Sequence, residues 1–230
     1  MYHDVMSKGS ITPSVCLNVD LPEEKDGSFY RGEVTVTYKD SVLQASSPIR
    51  NTADLLKMLN ERETKSNTFT YHSVKLALVI LFKNLDLDLL IAGRTAPGHS
   101  WINPVERIMS TLNLAIQNIA LARDECSSDM EQILRGCSSM ADIRKKSEGN
   151  PSLKEEWLQS LETIIDTIEN RTKRLSLKGV PFKSDKPASD VLVQAIETQI
   201  RHDIDQNIVP GKYQQKDLSL KKVSILFNVN

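Results

Sequence analysis

The sequence predicts a helix-rich α/β fold class, with an α/β region over residues 1–125 followed by an α-helical region over residues 126–210. Residues 33–39 alternate between apolar and polar side chains, which predicts a half-buried strand. Beyond residue 126, apolar residues recur every three or four positions, a spacing typical of helices. Residues 211–230 are expected to form a C-terminal tail.

Composition excludes several classes of protein. Of the 230 residues, 40% are apolar and 26% are charged, which is typical of a globular chain and not of a disordered one. The net charge of −1 gives no overall attraction to nucleic acid or anionic lipid. No segment has the roughly 18 consecutive apolar residues of a membrane span, so no membrane partner is expected. Three widely spaced cysteines indicate free thiols and an intracellular location.

Capping signals set the elements of the first region. Asn51 or Thr52 is predicted to cap a short helix that turns its leucines inward. Residues 72–85 predict a buried helix, and the apolar run 88–92 predicts a buried strand. Asn103 followed by Pro104 predicts the start of a helix that runs to about Arg123.

The second region is predicted as helices joined by short breaks. Its longest helix is expected over residues 152–175, with Ser152 as cap and Glu155 at capping-box spacing. Residues 183–187 are interpreted as a linker, and residues 218–229 as a short strand or a loose tail. The inner stripe of the long helix is predicted to be Trp157, Leu161, Ile164, Ile165 and Ile168. Shorter helices are predicted over residues 128–135, 140–146 and 189–204.

One string of residues is distinctive. The run 87–107 predicts a buried strand, then a polar loop with Arg94 and His99, then a capped helix with Glu106 in its first turn. That layout resembles the last part of the catalytic domain of transposases and integrases with a ribonuclease H-like fold. The chain also resembles a group of transposon-derived proteins over about residues 10–123. The shared strings lie at residues 46–50, 59–62, 103–107 and 109–113.

The resemblance implies an incomplete ribonuclease H-like core. In such enzymes the helix after the fifth strand carries the third acidic metal ligand, which corresponds to Glu106 here. Their carboxylates hold two divalent metals, and oxygen ligands of this kind suit Mg²⁺ or Mn²⁺. The family has an apolar strand ending in Asp-Gly-Gly where this chain has the polar residues 61–67. Two of the three acids are therefore missing, so no metal cofactor is expected unless an active site is retained.

Other acids near this string leave alternatives open. Asp86 and Asp88 would share one face of a strand and could approach Glu106. Asp86 can equally belong to a loop, and Asp88 can be the first residue of the strand. Glu106 itself can be an acid that favours a helix N-terminus through the helix dipole.

Three functional hypotheses follow. The leading one is a non-catalytic remnant of a transposase- or integrase-like protein, with weak DNA contact through Arg94, His99 and Arg107. The alternative is a helical protein–protein interaction module, whose binding arm is the helix over residues 152–175 and needs an exposed apolar stripe. An active metal-dependent polynucleotidyl transferase is the least supported hypothesis, because it needs acids from two other elements beside Glu106.

The missing strand has a structural consequence for the helix over residues 72–85. This helix is apolar around much of its circumference, so it requires burial on more than one side. We expect it to be exposed on one face or covered by the C-terminal helices.

Overall fold

A computed structural model describes residues 9–20, 22–24, 27–28, 30–60, 72–85, 89–93, 103–119, 122–205 and 223–227. This part of the chain is mixed α/β and helix-rich, as predicted. All three cysteines are free thiols. Across the described ranges, no helix combines the length and the apolar character that crossing a membrane requires.

The helices and strands follow one another along the chain in a mixed order. The strands are β1 (Ile11–Val19), β2 (Gly32–Asp40), β3 (Leu89–Gly93), β4 (Ser176–Leu177), β5 (Val180–Pro181), β6 (Lys183–Asp185) and β7 (Val223–Phe227). The helices are α1 (Pro48–Asn60), α2 (His72–Asn84), α3 (Pro104–Ile116), α4 (Ser128–Arg135), α5 (Met140–Glu148), α6 (Pro151–Ser160), α7 (Glu162–Thr172) and α8 (Asp190–Asp205).

The chain divides into two compact units that interleave along the sequence. Unit 1 comprises Met1–Val15, Arg31–Ser46 and Ile108–Lys186. Unit 2 comprises Cys16–Tyr30, Ser47–Arg107 and Pro187–Asn230. Each unit draws on chain from both sides of residue 125. The division into residues 1–125, 126–210 and 211–230 therefore remains a prediction drawn from the sequence.

Strand β2 is the central strand of the sheet in unit 1, which has the order β1-β2-β6. Strand β6 runs parallel to it and places Lys183 opposite Thr35. Thr35 and Thr37 are both buried, and so are the apolar residues on either side of each of them in β2. The prediction of a half-buried strand was wrong, because a central strand is covered on both faces. The interpretation of residues 183–187 as a linker was also wrong, since residues 183–185 pair with β2.

The predicted long helix is two helices, α6 and α7, that meet at Leu161. The cap of α6 is Asn150, whose side chain accepts a hydrogen bond from the Leu153 amide at 3.2 Å. Ser152 was therefore the wrong cap, because the helix already begins at Pro151 with proline at its first position. Helix α7 ends at Thr172, three residues earlier than predicted.

Helices α1, α2 and α8 pack together to form the apolar core of unit 2. The prediction for α2 left open an exposed face or cover by the C-terminal helices. Helix α8 packs against α2, while Phe82 of α2 is 38% exposed. The Oγ atom of Ser47 accepts a hydrogen bond from the Arg50 amide at 3.1 Å, so α1 starts at Pro48 and the predicted caps Asn51 and Thr52 were wrong. The buried residues of this core are Ala53, Leu55, Leu56, Met58, Leu78, Ile80, Leu81, Ala188, Ile196 and Ile200.

Strand β3 pairs in parallel with β7, from Leu89 opposite Val223 to Gly93 opposite Phe227. This pairing confirms the strand predicted over residues 88–92 and selects the strand alternative for the tail. In the ranges that the structure covers, the strands form three separate small sheets. A ribonuclease H-like core is therefore not confirmed.

Candidate functional site

The start of α3 is built as its sequence predicts. Asn103 is buried, and its Oδ1 atom accepts a hydrogen bond from the Val105 amide at 3.1 Å. Its carbonyl oxygen accepts from the Glu106 amide at 3.1 Å, and Pro104 occupies the first helical position. This capped start fixes the residue at which α3 begins and the conformation of its first turn.

The two predicted site residues on this helix lie in its first turn. Glu106 is half-buried, and Arg107 is exposed. The guanidinium carbon of Arg107 lies 5.8 Å from the centroid of the Tyr30 ring, which is a cation–π contact. That contact holds the exposed arginine against Tyr30, at the surface of unit 2.

The far end of α3 differs from the prediction. The helix ends at Ile116 instead of continuing to Arg123. Asn118 has a φ of 58°, in the left-handed region that asparagine tolerates better than most residues. This backbone conformation cannot continue a right-handed helix, so the apolar residues beyond it were misread as a further helical turn.

The remaining predicted site residues, Arg94, His99, Asp86 and Asp88, lie outside the described residues. Whether they approach Glu106 therefore remains a prediction. Within the ranges described, no group of three or more His, Cys, Asp or Glu side chains is arranged to hold a metal ion.

A buried carboxylate that the sequence did not single out lies at the end of β2 in unit 1. The side chain of Asp40 accepts hydrogen bonds from the amides of Val42 at 3.1 Å and Leu43 at 2.6 Å. It also accepts from the Trp157 indole nitrogen at 3.1 Å. Burial raises the pKa of Asp40, and these hydrogen bonds and the positive charge of Arg144 oppose that shift. The bonds connect the turn after β2 to α6.

Arg144 on α5 reinforces the same turn. Its Nε atom donates to the Val42 carbonyl at 2.6 Å, and its Nη2 atom donates to the Ser41 carbonyl at 2.7 Å. Its guanidinium thus binds the backbone of the turn, while the Asp40 carboxylate binds the amides of the same turn. Both side chains therefore hold the backbone of the turn after β2 in position.

A second buried pair joins β2 to the end of α7. The hydroxyl oxygens of Tyr38 and Thr172 lie 2.5 Å apart. The Thr172 hydroxyl also donates to the Ile168 carbonyl at 2.8 Å, so Tyr38 is the donor in this pair. Burial raises the pKa of Tyr38 to about 12, and the negative charge of Glu169 adds to the shift.

Around Cys126 the structure forms an ion pair and not a reactive thiol site. Arg123 binds Glu131 through two hydrogen bonds, of 2.6 and 2.9 Å, and its guanidinium lies 5.3 Å from the Trp157 ring. The pKa of Glu131 is lowered by the hydrogen bond from Arg123. The pKa of the Cys126 thiol is raised by burial, despite the nearby arginine. A raised pKa keeps this thiol protonated, which is unfavourable for a nucleophile.

These networks were missed because they depend on pairs far apart in sequence. Asp40 and Trp157 are 117 residues apart, and Tyr38 and Thr172 are 134 apart. One sequence signal could have singled out Asp40. It is the polar residue that directly follows the alternating strand pattern.

Comparison with known proteins adds no further assignment. No protein-family model, no curated protein and no solved structure matches this chain.

Proposed function

We propose that this chain is a non-catalytic remnant of a transposase- or integrase-like protein that keeps a weak contact with DNA. The observation that supports the proposal most is the order of elements along the chain, in which β3 is followed by a capped α3 with Glu106 in its first turn. The polar residues 61–67, which stand where the family has a strand and an acidic ligand, support the loss of catalysis. The intracellular location belongs to the same proposal.

The contact with DNA would use Arg107, together with Arg94 and His99 from the preceding loop. Arg107 is exposed and stacks on Tyr30, so its charge lies at the protein surface, where a phosphate oxygen can approach it. A few such cations give only weak, sequence-independent binding, with a Kd of about 10⁻⁴ to 10⁻⁶ M. Such a contact would therefore hold DNA without recognising a particular base sequence.

A metal titration tests the loss of catalysis. We expect Mg²⁺ and Mn²⁺ to leave both the thermal unfolding midpoint and a labelled DNA duplex unchanged. A bound ion in tenfold excess over its Kd would instead stabilise the protein by about 1.4 kcal/mol. Glu106→Gln is the test variant, and Glu125→Gln removes an exposed carboxylate elsewhere as a control. A metal-induced shift that Glu106→Gln alone abolishes would contradict the proposal.

A binding measurement tests the DNA contact. Losing one phosphate contact lowers the slope of log K against log salt by about 0.9. We expect that change for Arg107→Gln in fluorescence anisotropy with a labelled duplex. The matched control is Arg201→Gln, which removes an exposed arginine from α8 of the same unit. An Arg107→Gln slope equal to that of the wild type would show that α3 does not contact DNA.

The alternative of a helical interaction module has less support. Its binding arm requires an exposed apolar stripe along α6 and α7. The stripe is turned into unit 1, with Ile165 half-buried and the other four residues buried. We therefore put forward no second function. The buried residues of that stripe are Trp157, Leu161, Ile164 and Ile168.

A further inference from the structure

Positive charge is concentrated in one short segment of unit 1. Residues 171–186 contain six Lys or Arg residues and one acid, although the whole chain has a net charge of −1. The segment, which we call the basic hairpin, includes the end of α7, the β4–β5 hairpin and β6. Its basic residues are Arg171, Lys173, Arg174, Lys178, Lys183 and Lys186.

The basic hairpin is anchored to the core by its apolar residues. Leu177 and Phe182 are buried, and the Phe182 amide donates to the Leu175 carbonyl at 2.9 Å. Strands β4 and β5 are antiparallel, with Leu177 opposite Val180. Lys178 therefore projects at the tip of a ribbon that is held at its base.

The conformation of Lys178 is unfavourable for lysine. Lys178 and Gly179 have φ values of 50° and 86°, as a two-residue hairpin turn of type I′ requires. Asparagine is the preferred residue at the first of these positions, whereas lysine adopts the left-handed conformation only at a steric cost. Strain of this kind is concentrated at functional sites, and here it places a cation at the most exposed point of the turn.

Acidic residues of the chain form ion pairs with only some of the basic residues in the basic hairpin. Lys173 pairs with Glu169, and Lys183 pairs with Glu33, but both lysine side chains are half exposed. Ion pairs this exposed to solvent contribute little to stability, so these lysines can turn to an external anion at little cost. Arg174 and Lys178 are exposed and have no ion-pair partner in the part of the chain that the structure describes.

We infer that the basic hairpin binds the phosphate backbone of nucleic acid without reading the bases. Lys173, Arg174, Lys178 and Lys183 would supply about four phosphate contacts. The surface offers no aromatic side chain for base stacking, because Phe182 is buried. A lipid surface fits less well, because stable membrane binding needs an apolar or lipid anchor beside a basic patch. Leu177 and Phe182 are buried, and the single exposed Val180 is too small an anchor. This surface lies outside residues 10–123 and does not rest on the proposed function.

The variant that separates binding from folding is Lys178→Asn. Asparagine suits the turn better than lysine, so this variant should unfold at a temperature no lower than the wild type. It should nevertheless bind more weakly, because one phosphate contact is lost. Lys145→Asn removes an exposed charge from α5 of the same unit and serves as the matched control.

The measurement is fluorescence anisotropy of the full chain with a labelled 20-base-pair DNA duplex between 50 and 200 mM KCl. The four phosphate contacts of the basic hairpin should by themselves make wild-type affinity fall about 150-fold over this range, and the three left in Lys178→Asn should make it fall about 40-fold. Lys145→Asn should match the wild type. An RNA duplex should bind with similar affinity, since the bases are not read.

Two outcomes would overturn the inference. One is a salt dependence of Lys178→Asn equal to that of the wild type. The other is the absence of duplex binding at 50 mM KCl, with or without binding to vesicles that contain phosphatidylserine. When the duplex binds, Lys178→Asn and Arg107→Gln report separately on the basic hairpin and on α3, so a failure of this inference can be told apart from a failure of the proposed DNA contact. The metal titration tests the loss of catalysis without any duplex binding.

Discussion

The interiors of the two units are held together by different kinds of contact. In unit 2 the packing of α1, α2 and α8 is apolar, and Arg50 adds a charged link. In unit 1 the apolar interior also contains buried hydrogen bonds between distant segments, above all those of Asp40 and of the Tyr38–Thr172 pair. Apolar burial is non-directional, whereas a buried hydrogen bond fixes orientation and is costly to leave unmade. Unit 1 should therefore depend on a few polar atoms as well as on filled volume, and unit 2 mainly on filled volume.

The largest effect is expected from Asp40→Ala in unit 1. The substitution leaves the Val42 amide, the Leu43 amide and the Trp157 indole without their acceptor. Each buried unsatisfied donor costs about 1–3 kcal/mol, so we expect a loss of about 4 kcal/mol in the free energy of unfolding. Urea denaturation monitored by Trp157 fluorescence and by circular dichroism would measure it.

Asp142→Ala is the control for burial. Asp142 also accepts several hydrogen bonds, from Ser138 and Ser139, but at an exposed helix N-terminus. Water can replace that carboxylate, so its loss should be clearly smaller. Equal losses for the two variants would mean that burial does not set the importance of Asp40.

Leu81→Ala tests the volume dependence of unit 2. Leu81 is 1% exposed within the apolar core, and a leucine-to-alanine change at such a site costs about 3 kcal/mol through lost burial and the cavity left behind. The adjacent Phe82 is 38% exposed, so Phe82→Ala should cost about 1 kcal/mol although it removes a larger side chain. Thermal unfolding of both variants would decide it, and a larger loss for Phe82→Ala would show that this face of α2 is covered.

Arg50→Gln should have an intermediate effect. The Arg50 guanidinium donates to the Ala188 carbonyl at 3.2 Å and to Asp190 at 2.7 Å, which joins α1 to the start of α8. Because Asp190 is partly exposed, we expect a loss of about 2 kcal/mol and not more. Chemical denaturation at low and high salt would measure it, with Arg201→Gln expected to match the wild type. A loss below about 0.5 kcal/mol would show that the link is not structural.

The smallest effect concerns the alkaline stability of unit 1. The pKa of Tyr38 is about 12 in the folded chain against 10.0 as the ordinary value, so the unfolded chain loses this proton first. Stability should therefore fall as pH rises through 10 to 12, by about 1 kcal/mol at pH 11. Tyr38→Phe should remove this part of the dependence. Unfolding measured at pH 9 and pH 11 would test it, and identical pH dependence in both proteins would contradict the assigned pKa.

Local signals predicted much of the fold. The Asn103-Pro104 start of α3, the apolar run of β3 and the spacing of α4 and α8 are each carried by neighbouring residues, and the structure places these elements as expected. Ends were less predictable, because Asn118 stops α3 through a backbone conformation that its apolar neighbours do not reveal.

Pairing between distant segments could not be predicted in the same way. Nothing local to Thr35 indicates that Lys183 will lie beside it, so β2 was read as half-buried and β6 as a linker. The same limit applied to the candidate site, where only local features could be predicted. The position of Glu106 in the first turn of α3 was predictable from its own helix, whereas the Asp40 network required knowledge of Trp157, 117 residues away.

The late position of β6 in the chain has a consequence during synthesis. One edge of β2 is completed only when residues 183–185 arrive, and the Ser184 hydroxyl that donates to the Val36 carbonyl comes 148 residues later. At about 5–20 residues per second, the ribosome needs on the order of 10 s to cover that distance. Through that interval a nascent chain carries Val34 and Val36 on a strand with an open edge, which is a template for pairing with other chains. Slow translation between these segments should therefore favour aggregation over folding.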